Sequence, residues 1–278
     1  MGGAMGVDTK ATPLIDKAIV GKRFSASAAS YDRYAVAQKH IYQRLGKLLE
    51  AAGQKSFDRV LEVGCGTAGL SKYVDNLCEV KHWTLNDLGS CMLEYGDFRP
   101  RYASTPELIM GDAEQIDLGT DYDLIISASA IQWFHDGEAF VRSLHNRLRP
   151  GGILLLSTFG PENLIEIKTL TGQGLHYHSL TEISDWFRDY TDLQLMDEVY
   201  PLSFSTPREV LLHLKRTGVT ATSAHSSVWT AERLRTFERI YTEQYGQSEG
   251  GVPLTYHPIY IVARRAFRSN PTVDDASR

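Results

Sequence analysis

The sequence is short of cysteine, of excess positive charge and of long apolar runs, and each shortage excludes a class of protein. Three cysteines in 278 residues, with no Cys-x-x-Cys pair, argue against a disulfide framework and favour a reducing cytoplasm. The same scarcity leaves no structural zinc site, and no metal is expected.

Lys and Arg number 29 against 34 Asp and Glu. The resulting charge of −5 predicts no nucleic-acid or anionic-membrane partner. No window holds the roughly 18 apolar residues of a membrane span.

Between residues 55 and 160, short β-type runs alternate with helical stretches. Strands are predicted at Arg59–Val63, Val80–Leu85, Leu108–Met110, Leu124–Ser127 and Ile153–Phe159, and helices near Ala68–Asn76, Ser90–Gly96 and Gly137–Leu148. This alternation predicts an α/β fold in which helices cover both faces of a parallel sheet.

The flanking segments have a different character. Residues 1–22 and 268–278 are small or polar and are predicted to be flexible ends, whereas 23–54 is predicted to be an N-terminal helical segment. Capping-box patterns at Ser179 and Thr206 start helices within residues 161–250. We interpret that region as lid and substrate-binding insertions that include a sixth strand, Leu193–Phe204. Residues 251–267 are predicted to carry the last strand, Ile259–Ala263.

A glycine-rich loop directly after the first predicted strand is the most informative motif. Gly64, Gly66 and Gly69 follow Glu62-Val63 at Gly-x-Gly-x-x-Gly spacing, which lets the backbone turn tightly and approach a ligand at a helix N-terminus. By itself such a loop also fits an ordinary strand-to-helix turn. Asp87 ends the next strand, where a carboxylate can accept hydrogen bonds from both ribose hydroxyls or cap a helix. At this point NAD and S-adenosylmethionine both remain possible cofactors.

Three further features favour a cofactor that carries an amino-acid group. Glu62 lies on the strand just before the loop, where it can orient the loop or reach a cationic amino group, which NAD lacks. Asp112-Ala113 follows the third strand, where a carboxylate can accept from an adenine amine. Leu148-Arg149-Pro150-Gly151-Gly152 ends a helix and begins an apolar strand.

Taken in order, these motifs resemble those of class I S-adenosylmethionine-dependent methyltransferases. The resemblance implies a Rossmann-like sheet of seven strands, mostly parallel with an antiparallel last strand, and S-adenosyl-L-methionine as cofactor. The cofactor-binding residues it implies are Glu62, Gly64, Cys65, Gly66, Asp87, Leu88, Asp112, Ala113 and Ser129. Asn86 precedes Asp87 at the strand end; we favour Asp87 for the ribose because only Asp87 is charged.

Outside these motifs the chain resembles the malonyl-[acyl-carrier protein] O-methyltransferase (BioC) family of biotin synthesis. The similar segments are Arg23–Ser25, Ala29–Asp32 with Ala35 and Gln38, Ser127–Trp133, Ser157–Leu164, His213–Gly218 and Leu254–Tyr260. The resemblance implies methylation of the free carboxylate of a malonyl thioester. Whether acyl-carrier protein or coenzyme A carries that thioester stays open.

Carboxylate methylation needs alignment and dehydration more than a base, because the carboxylate is already ionised near neutral pH. We therefore expect aromatic side chains around the reacting groups, with Tyr31 and Trp133 as the catalytic candidates. Phe159, Tyr256 and His257 are candidates for substrate contact. Tyr31 and Phe159 also fit a purely packing role, and His257 fits a turn-capping role.

An acidic carrier protein requires a local basic surface despite the overall charge. Lys215 and Arg216, with Arg208 on the same predicted helix, form the first candidate, and Arg147 with Arg149 forms the second. Such clusters are also common on solvated helix faces.

Two rival functions remain open on sequence grounds, and a third is disfavoured. One is methylation of a small free polycarboxylic acid, and another is a non-catalytic S-adenosylmethionine-binding regulatory or partner subunit. An NAD-dependent dehydrogenase is disfavoured, because no pair of residues suited to hydride transfer is apparent.

Overall fold

A seven-stranded sheet forms the centre of the protein. The structure is a computed structural model that describes residues 15–89, 104–219 and 230–267; the predicted helix Ser90–Gly96, Cys91 and the tail 268–278 lie outside them. The strands are β1 Ser56–Val63, β2 Glu79–Asp87, β3 Glu107–Met110, β4 Tyr122–Ala128, β5 Leu148–Phe159, β6 Thr191–Asp197, β7 Tyr200–Phe204, β8 Val252–Tyr256 and β9 Pro258–Arg264. Seven of these strands form the sheet in the order β3-β2-β1-β4-β5-β9-β6, and only β9 runs antiparallel to the other six. The predicted fold class is confirmed.

Helices cover both faces of this sheet. Within the described residues they are α1 Lys17–Tyr34, α2 Val36–Ala51, α3 Gly69–Asp75, α4 Gly137–Arg147, α5 Ile165–Thr171, α6 Leu180–Asp185, α7 Pro207–Arg216 and α8 Ala231–Tyr245. None of these helices has the length and apolarity needed to cross a bilayer.

Successive residues of the central strands enter two separate cores. Leu124 and Ile126 of β4 pack in the core that contains Leu45 and Leu49 of α2, whereas Ile125 packs in the core that contains Leu144 of α4. Because both faces are buried, the central strands need continuous apolar runs, which is why they were recognisable in the sequence.

The described residues at the start of the chain are helical where the sequence predicted a flexible end. Residues 17–22 belong to α1 rather than to a flexible end, and Asp16 caps the helix by accepting from the backbone N–H groups of Ala18 and Ile19 at 3.0 and 3.1 Å. The predicted helical segment is two helices, separated at Ala35 by a backbone with ψ of 55°. Small and polar residues dominate α1, so its apolar periodicity is weak and tertiary contacts hold it in place.

The last part of the sheet also differs from the prediction. The predicted sixth strand is divided into β6 and β7, and β7 pairs with β8 in a separate two-stranded sheet. The predicted last strand, Ile259–Ala263, is β9, and the region 251–267 contains a further strand, β8, that the sequence analysis did not predict. Of the two predicted capping boxes, the one at Ser179 is complete. Thr206 does cap α7, but the Glu209 carboxylate accepts from Ser205 instead of closing the box.

Candidate active site

A cavity lies above the carboxyl ends of β1, β2 and β4, where the chain order in the sheet reverses on either side of β1. We call it the main cavity; it encloses about 920 Å³ of space that includes an opening to solvent. All nine residues predicted to bind the cofactor line it: Glu62, Gly64, Cys65, Gly66, Asp87, Leu88, Asp112, Ala113 and Ser129. The fold therefore brings together residues spread over 68 positions of sequence, from 62 to 129.

The glycine loop is held in a conformation that ordinary residues disfavour. Gly64 has φ of +68° and Gly66 has φ of +55°, in the left-handed region where a Cβ atom is strained. A Cβ on Gly64 would also lie 2.5 Å from the Cβ of Ala130. The loop is tied to α1 as well, because the Thr67 hydroxyl donates to Asp32 at 2.6 Å.

Asp87 and Asn86 have separate roles at the end of β2. The Asn86 side chain turns into the fold and donates to the carbonyls of Ile109 and Gly111 at 2.9 and 3.2 Å. The Asp87 carboxylate lines the main cavity and accepts from the N–H groups of Gly66 and Gly89, both at 2.9 Å. Burial raises the pKa of Asp87, although these two backbone donors oppose the rise. Asp87 thus faces the ligand space while bracing the glycine loop.

Glu62 is the most unusual group in the main cavity. Its side chain is 2% exposed, and its Oε2 atom is buried with no hydrogen-bond partner. Burial raises the pKa of Glu62 to about 8, against the opposing effect of hydrogen bonds with Ser71. A buried carboxylate oxygen without a donor is costly to the fold, and a cationic ligand group would satisfy it.

Asp112 has a partner that the sequence did not predict. Its Oδ1 atom accepts from the Lys17 ammonium group at 2.6 Å, and Lys17 also pairs with Glu114. The Glu114 carboxylate in turn accepts from the backbone N–H groups of His135 and Asp136. Lys17 therefore fastens the start of α1 across the main cavity, which Val20 also lines.

A second, smaller cavity adjoins the first. We call it the inner cavity; four predicted aromatic residues line it, namely Tyr31, Trp133, Phe159 and Tyr256. Four residues form walls of both cavities: Phe24, Tyr31, Ser129 and Trp133. The Phe24 ring packs edge-on against Trp133 with centroids 5.6 Å apart. The two catalytic candidates thus stand at the boundary between the cavities.

Polar side chains that the sequence analysis did not assign to the site also line the inner cavity. They are Gln38, Gln132, Asn163 and Tyr177. The Oε1 atoms of Gln38 and Gln132 and the hydroxyl of Ser129 are buried without hydrogen-bond partners. Gln38 and Asn163 occur in the segments that carry the family resemblance. That resemblance was the signal that could have pointed to them, but it did not indicate that their side chains line a cavity.

The described lining of the inner cavity contains no charged side chain. Burial raises the pKa of Tyr177 to about 12 and raises the pKa values of Tyr31 and Tyr256 further. The phenol groups therefore stay protonated near neutral pH and are hydrogen-bond donors rather than bases. A carboxylate entering this space would meet neutral side chains, of which the phenols and the amide N–H groups can donate to it.

Comparison with known proteins agrees with this arrangement. The Methyltransferase domain family model matches residues 61–156. A Porphyromonas gingivalis protein named malonyl-[acyl-carrier protein] O-methyltransferase is 43% identical over 251 residues, which cover 90% of this chain and 96% of the relative. The chain belongs to the malonyl-[acyl-carrier protein] O-methyltransferase family. The resemblance seen in the sequence is confirmed.

A second relative supports the family assignment, and a solved structure supports the fold. A Haemophilus ducreyi protein with the same name is 36% identical over 252 residues, covering 88% of this chain and 96% of the relative. Among solved structures, the YcgJ protein from Bacillus subtilis has a TM-score of 0.57 at 18% identity, covering 80% of this chain and 97% of that protein. At that identity the match shows the fold alone.

His257 does not take the substrate-contact position predicted for it in this family member. It lines neither the main nor the inner cavity. Its Nδ1 atom accepts from the Glu162 N–H at 3.1 Å, and its Nε2 atom bonds Asp197 at 2.9 Å. Both ring nitrogens hold the turn between β8 and β9, so the turn-capping alternative describes His257 better. The histidine that contacts a residue of the inner cavity is His213, whose Nε2 atom lies 2.8 Å from the Tyr256 hydroxyl; the sequence analysis gave it no role in the site.

The predicted basic candidates are placed unequally. Lys215 and Arg208 line an open groove beside the inner cavity, although Arg208 pairs with Glu238 at 2.8 Å. Arg216 lies elsewhere, with its guanidinium 4.2 Å from the centroid of the Tyr34 ring. Arg147 and Arg149 are paired with Asp117 and Asp123 at 3.1 and 3.0 Å and line neither this groove nor either cavity. Lys215 is thus the predicted cation best placed for a substrate. The structure does not place Arg216, which was predicted beside it, in the groove or in either cavity.

Proposed function

We propose that the protein transfers the methyl group of S-adenosyl-L-methionine to the free carboxylate of a malonyl group held as a thioester on acyl-carrier protein. The product is a methyl ester, in which the charge at the end of the chain is masked. Chain elongation then treats the masked end as apolar, as an early step of biotin synthesis requires. The buried Cys65 and Cys78 are free thiols, which supports the predicted cytoplasmic location.

The main cavity has the donor set that this cofactor needs. Asp87 would accept from the ribose hydroxyls, and the partnerless Glu62 oxygen would accept from the cationic amino group. Asp112 and Ala113 lie where the adenine is expected, with the Asp112 carboxylate also held by Lys17. When bound, the cofactor supplies an electrophilic methyl group on a positively charged sulfur atom.

The inner cavity has the properties that a carboxylate nucleophile needs. The protonated phenol of Tyr31 and the amide N–H groups of Gln38 and Gln132 can each orient the carboxylate by a neutral hydrogen bond; the Gln132 amide also donates to the Ser129 carbonyl at 2.6 Å. A bidentate arginine would bind the attacking lone pairs more tightly and lower their reactivity. Aromatic walls exclude water, which strengthens the attraction between the carboxylate and the sulfonium group. Alignment for in-line displacement is then the main catalytic contribution of the chain.

The observation that carries the proposal is the contact between the two cavities. Tyr31 and Trp133 form part of both walls, and the partnerless Ser129 hydroxyl also lies at the boundary. An acceptor in the inner cavity would therefore face a methyl group presented from the main cavity.

The proposal is tested by incubating the purified protein and S-adenosylmethionine with malonyl-acyl-carrier protein, malonyl-coenzyme A and free malonate. Mass spectrometry then follows the gain of one methyl group on each. We expect the carrier-bound thioester to react fastest. Reaction of free acids alone would instead support methylation of a small polycarboxylic acid. Cofactor binding without any methyl transfer would support a regulatory subunit.

A further inference from the structure

A basic groove opens beside the inner cavity, between α1, α5, α7 and α8. It encloses about 2160 Å³ of space open to solvent, and apolar side chains such as Leu211 and Leu234 form part of its walls. Five cationic residues line it: Arg23, Lys168, Arg208, Lys215 and Arg233. No carboxylate occurs in the described lining. In a protein of net charge −5, this is a local concentration of one sign of charge.

The two lysines of the groove are available to bind a ligand. Lys168 and Lys215 are exposed, and their ammonium groups make no hydrogen bond or ion pair with any other described residue. They belong to different helices, α5 and α7, on separate walls of the groove. Arg208, by contrast, is already held by Glu238.

The basic groove leads towards the reacting groups. Asn163, Tyr177 and Val219 line both the groove and the inner cavity. The inner cavity in turn shares Tyr31 and Trp133 with the main cavity. A chain entering from the groove therefore passes from a basic, solvent-open mouth to a neutral, aromatic interior.

We propose that the basic groove binds the phosphopantetheine arm of malonyl-acyl-carrier protein, with Lys168 and Lys215 at its phosphate and at the acidic carrier surface. The inference rests on the proposed function and adds the route and the binding residues. The arm is a long uncharged chain that ends in a phosphodiester at the carrier, which matches a neutral interior behind a basic mouth. Coenzyme A would present a similar arm with its own phosphates, so we take the carrier as the occupant from the family: relatives that are 43% and 36% identical are named for acyl-carrier protein.

Charge reversal tests the proposal directly. The variant carries Lys168→Glu and Lys215→Glu, and the control carries Lys39→Glu and Lys47→Glu on the exposed side of α2, outside the groove, with the same change in net charge. We expect the KM for malonyl-acyl-carrier protein to rise about tenfold or more in the groove variant, with kcat unchanged. The control keeps the wild-type KM. Added salt raises the wild-type KM and reduces the difference between the variants.

A truncated substrate separates binding from folding. Malonyl-N-acetylcysteamine has the thioester but neither the phosphate nor the carrier, so its methylation rate is expected to be equal in the wild type and the groove variant. Equal losses on both substrates, or a wild-type KM for the carrier substrate in the groove variant, would overturn the proposal. A loss for malonyl-coenzyme A as large as that for the carrier would overturn the assignment of the carrier as occupant.

Binding without turnover distinguishes this inference from the proposed function. Fluorescence anisotropy with labelled malonyl-acyl-carrier protein measures binding whether or not methyl transfer occurs. Wild-type binding that the groove variant loses, together with an absence of methylation, would refute the proposed reaction and retain the docking site. Methylation of the truncated thioester without binding of the carrier would retain the reaction and refute the docking site.

Discussion

At the scale of single residues, Glu62 links the sequence pattern to a measurable charge state. Burial raises the pKa of its carboxyl group to about 8, so near pH 7 the empty protein holds this group mostly protonated. A cationic amino group favours the ionised form, and the carboxyl group must then release its proton when the cofactor binds.

We predict that cofactor affinity rises with pH between about 6 and 7.5, by at most about tenfold per pH unit, and that Glu62→Gln abolishes this dependence. Calorimetry in buffers of different ionisation enthalpy measures the released proton. Glu79→Gln, at an exposed site, is the control. A pH-independent affinity in the wild type would contradict the role given to Glu62.

Glu62→Gln is also expected to change the stability of the protein without cofactor. The unfolded chain ionises Glu62 near pH 4.5 and the folded protein near 8, so this group lowers stability as pH rises between those values. Glu62→Gln should therefore raise the melting temperature without cofactor, and more so at pH 8 than at pH 5. Differential scanning fluorimetry at both values measures this, and a lowered melting temperature at pH 8 would count against it.

Alanine substitutions at Gly64 and Gly66 are expected to affect stability and cofactor binding to different extents. Alanine at Gly64 meets both a left-handed backbone and the Ala130 Cβ at 2.5 Å, so we expect a loss of about 3 kcal/mol in unfolding free energy. Alanine at Gly66 has no neighbour within 4 Å, so the expected loss is about 1 kcal/mol. Its cofactor affinity should nevertheless fall at least about tenfold, because the loop must approach the ligand closely. Urea titration and calorimetry distinguish the two outcomes, and similar stability losses would contradict this account.

His213 is expected to control the acid side of the stability profile. Burial lowers its pKa to about 4 from 6.5. Between these pH values the unfolded chain binds a proton at this histidine and the folded protein does not, so the free energy of unfolding falls as pH drops from 6.5 to 4. His213→Asn should remove roughly 2 kcal/mol of that fall. Urea denaturation at pH 7, 5.5 and 4.5 measures it, with the exposed His82→Asn as control. Parallel curves for all three proteins would argue against a neutral buried His213.

Residue identities near the glycine loop were predictable because the chemistry is local. Glu62, Asp87 and Asp112 each follow or end a strand, and strand ends of a parallel sheet meet at one edge. His257 and Arg216 were not predictable in this way. Their side chains are directed by Asp197 and Tyr34, which lie 60 and 182 positions away in sequence.

At the scale of elements, α1 determines whether the main cavity is covered. Its first turn is fastened by Lys17 to Asp112 and Glu114, and the Lys17 ammonium also lies 5.0 Å from the centroid of the Phe134 ring. Residues 17–22 have little apolar periodicity, so the sequence favoured a flexible end. The helix forms because Asp16 caps it and because the sheet edge supplies carboxylates.

We predict that Lys17→Met loosens α1 and speeds cofactor release. Two carboxylates would then face each other without a cation, at a cost of about 1 kcal/mol or more. Hydrogen exchange of α1 amides should accelerate, and the cofactor dissociation rate should rise about fivefold. Lys22→Met, on the exposed side of the same helix, is the matched control. Unchanged exchange in Lys17→Met would mean that Lys17 does not fasten the helix.

At the scale of the whole molecule, the fold class could be predicted and the substrate path could not. The two-sided burial of β1, β4 and β5 imposes apolar runs that any sequence of this fold must show. The basic groove is formed by four helices whose cations are spread from Arg23 to Arg233. No local pattern brings such residues together. Only Lys215 and Arg208 were indicated beforehand, because they share α7.

The central claim is that a carboxylate in the inner cavity receives the methyl group on its oxygen. The most direct test uses S-adenosylmethionine with a ¹³C-labelled methyl group, malonyl-acyl-carrier protein and a stoichiometric amount of the protein. The carbon spectrum of the product identifies the atom that carries the label. The account predicts a methyl ester at the free malonyl carboxylate. Label on the malonyl carbon between the two carbonyl groups, or on a carrier side chain, would contradict it.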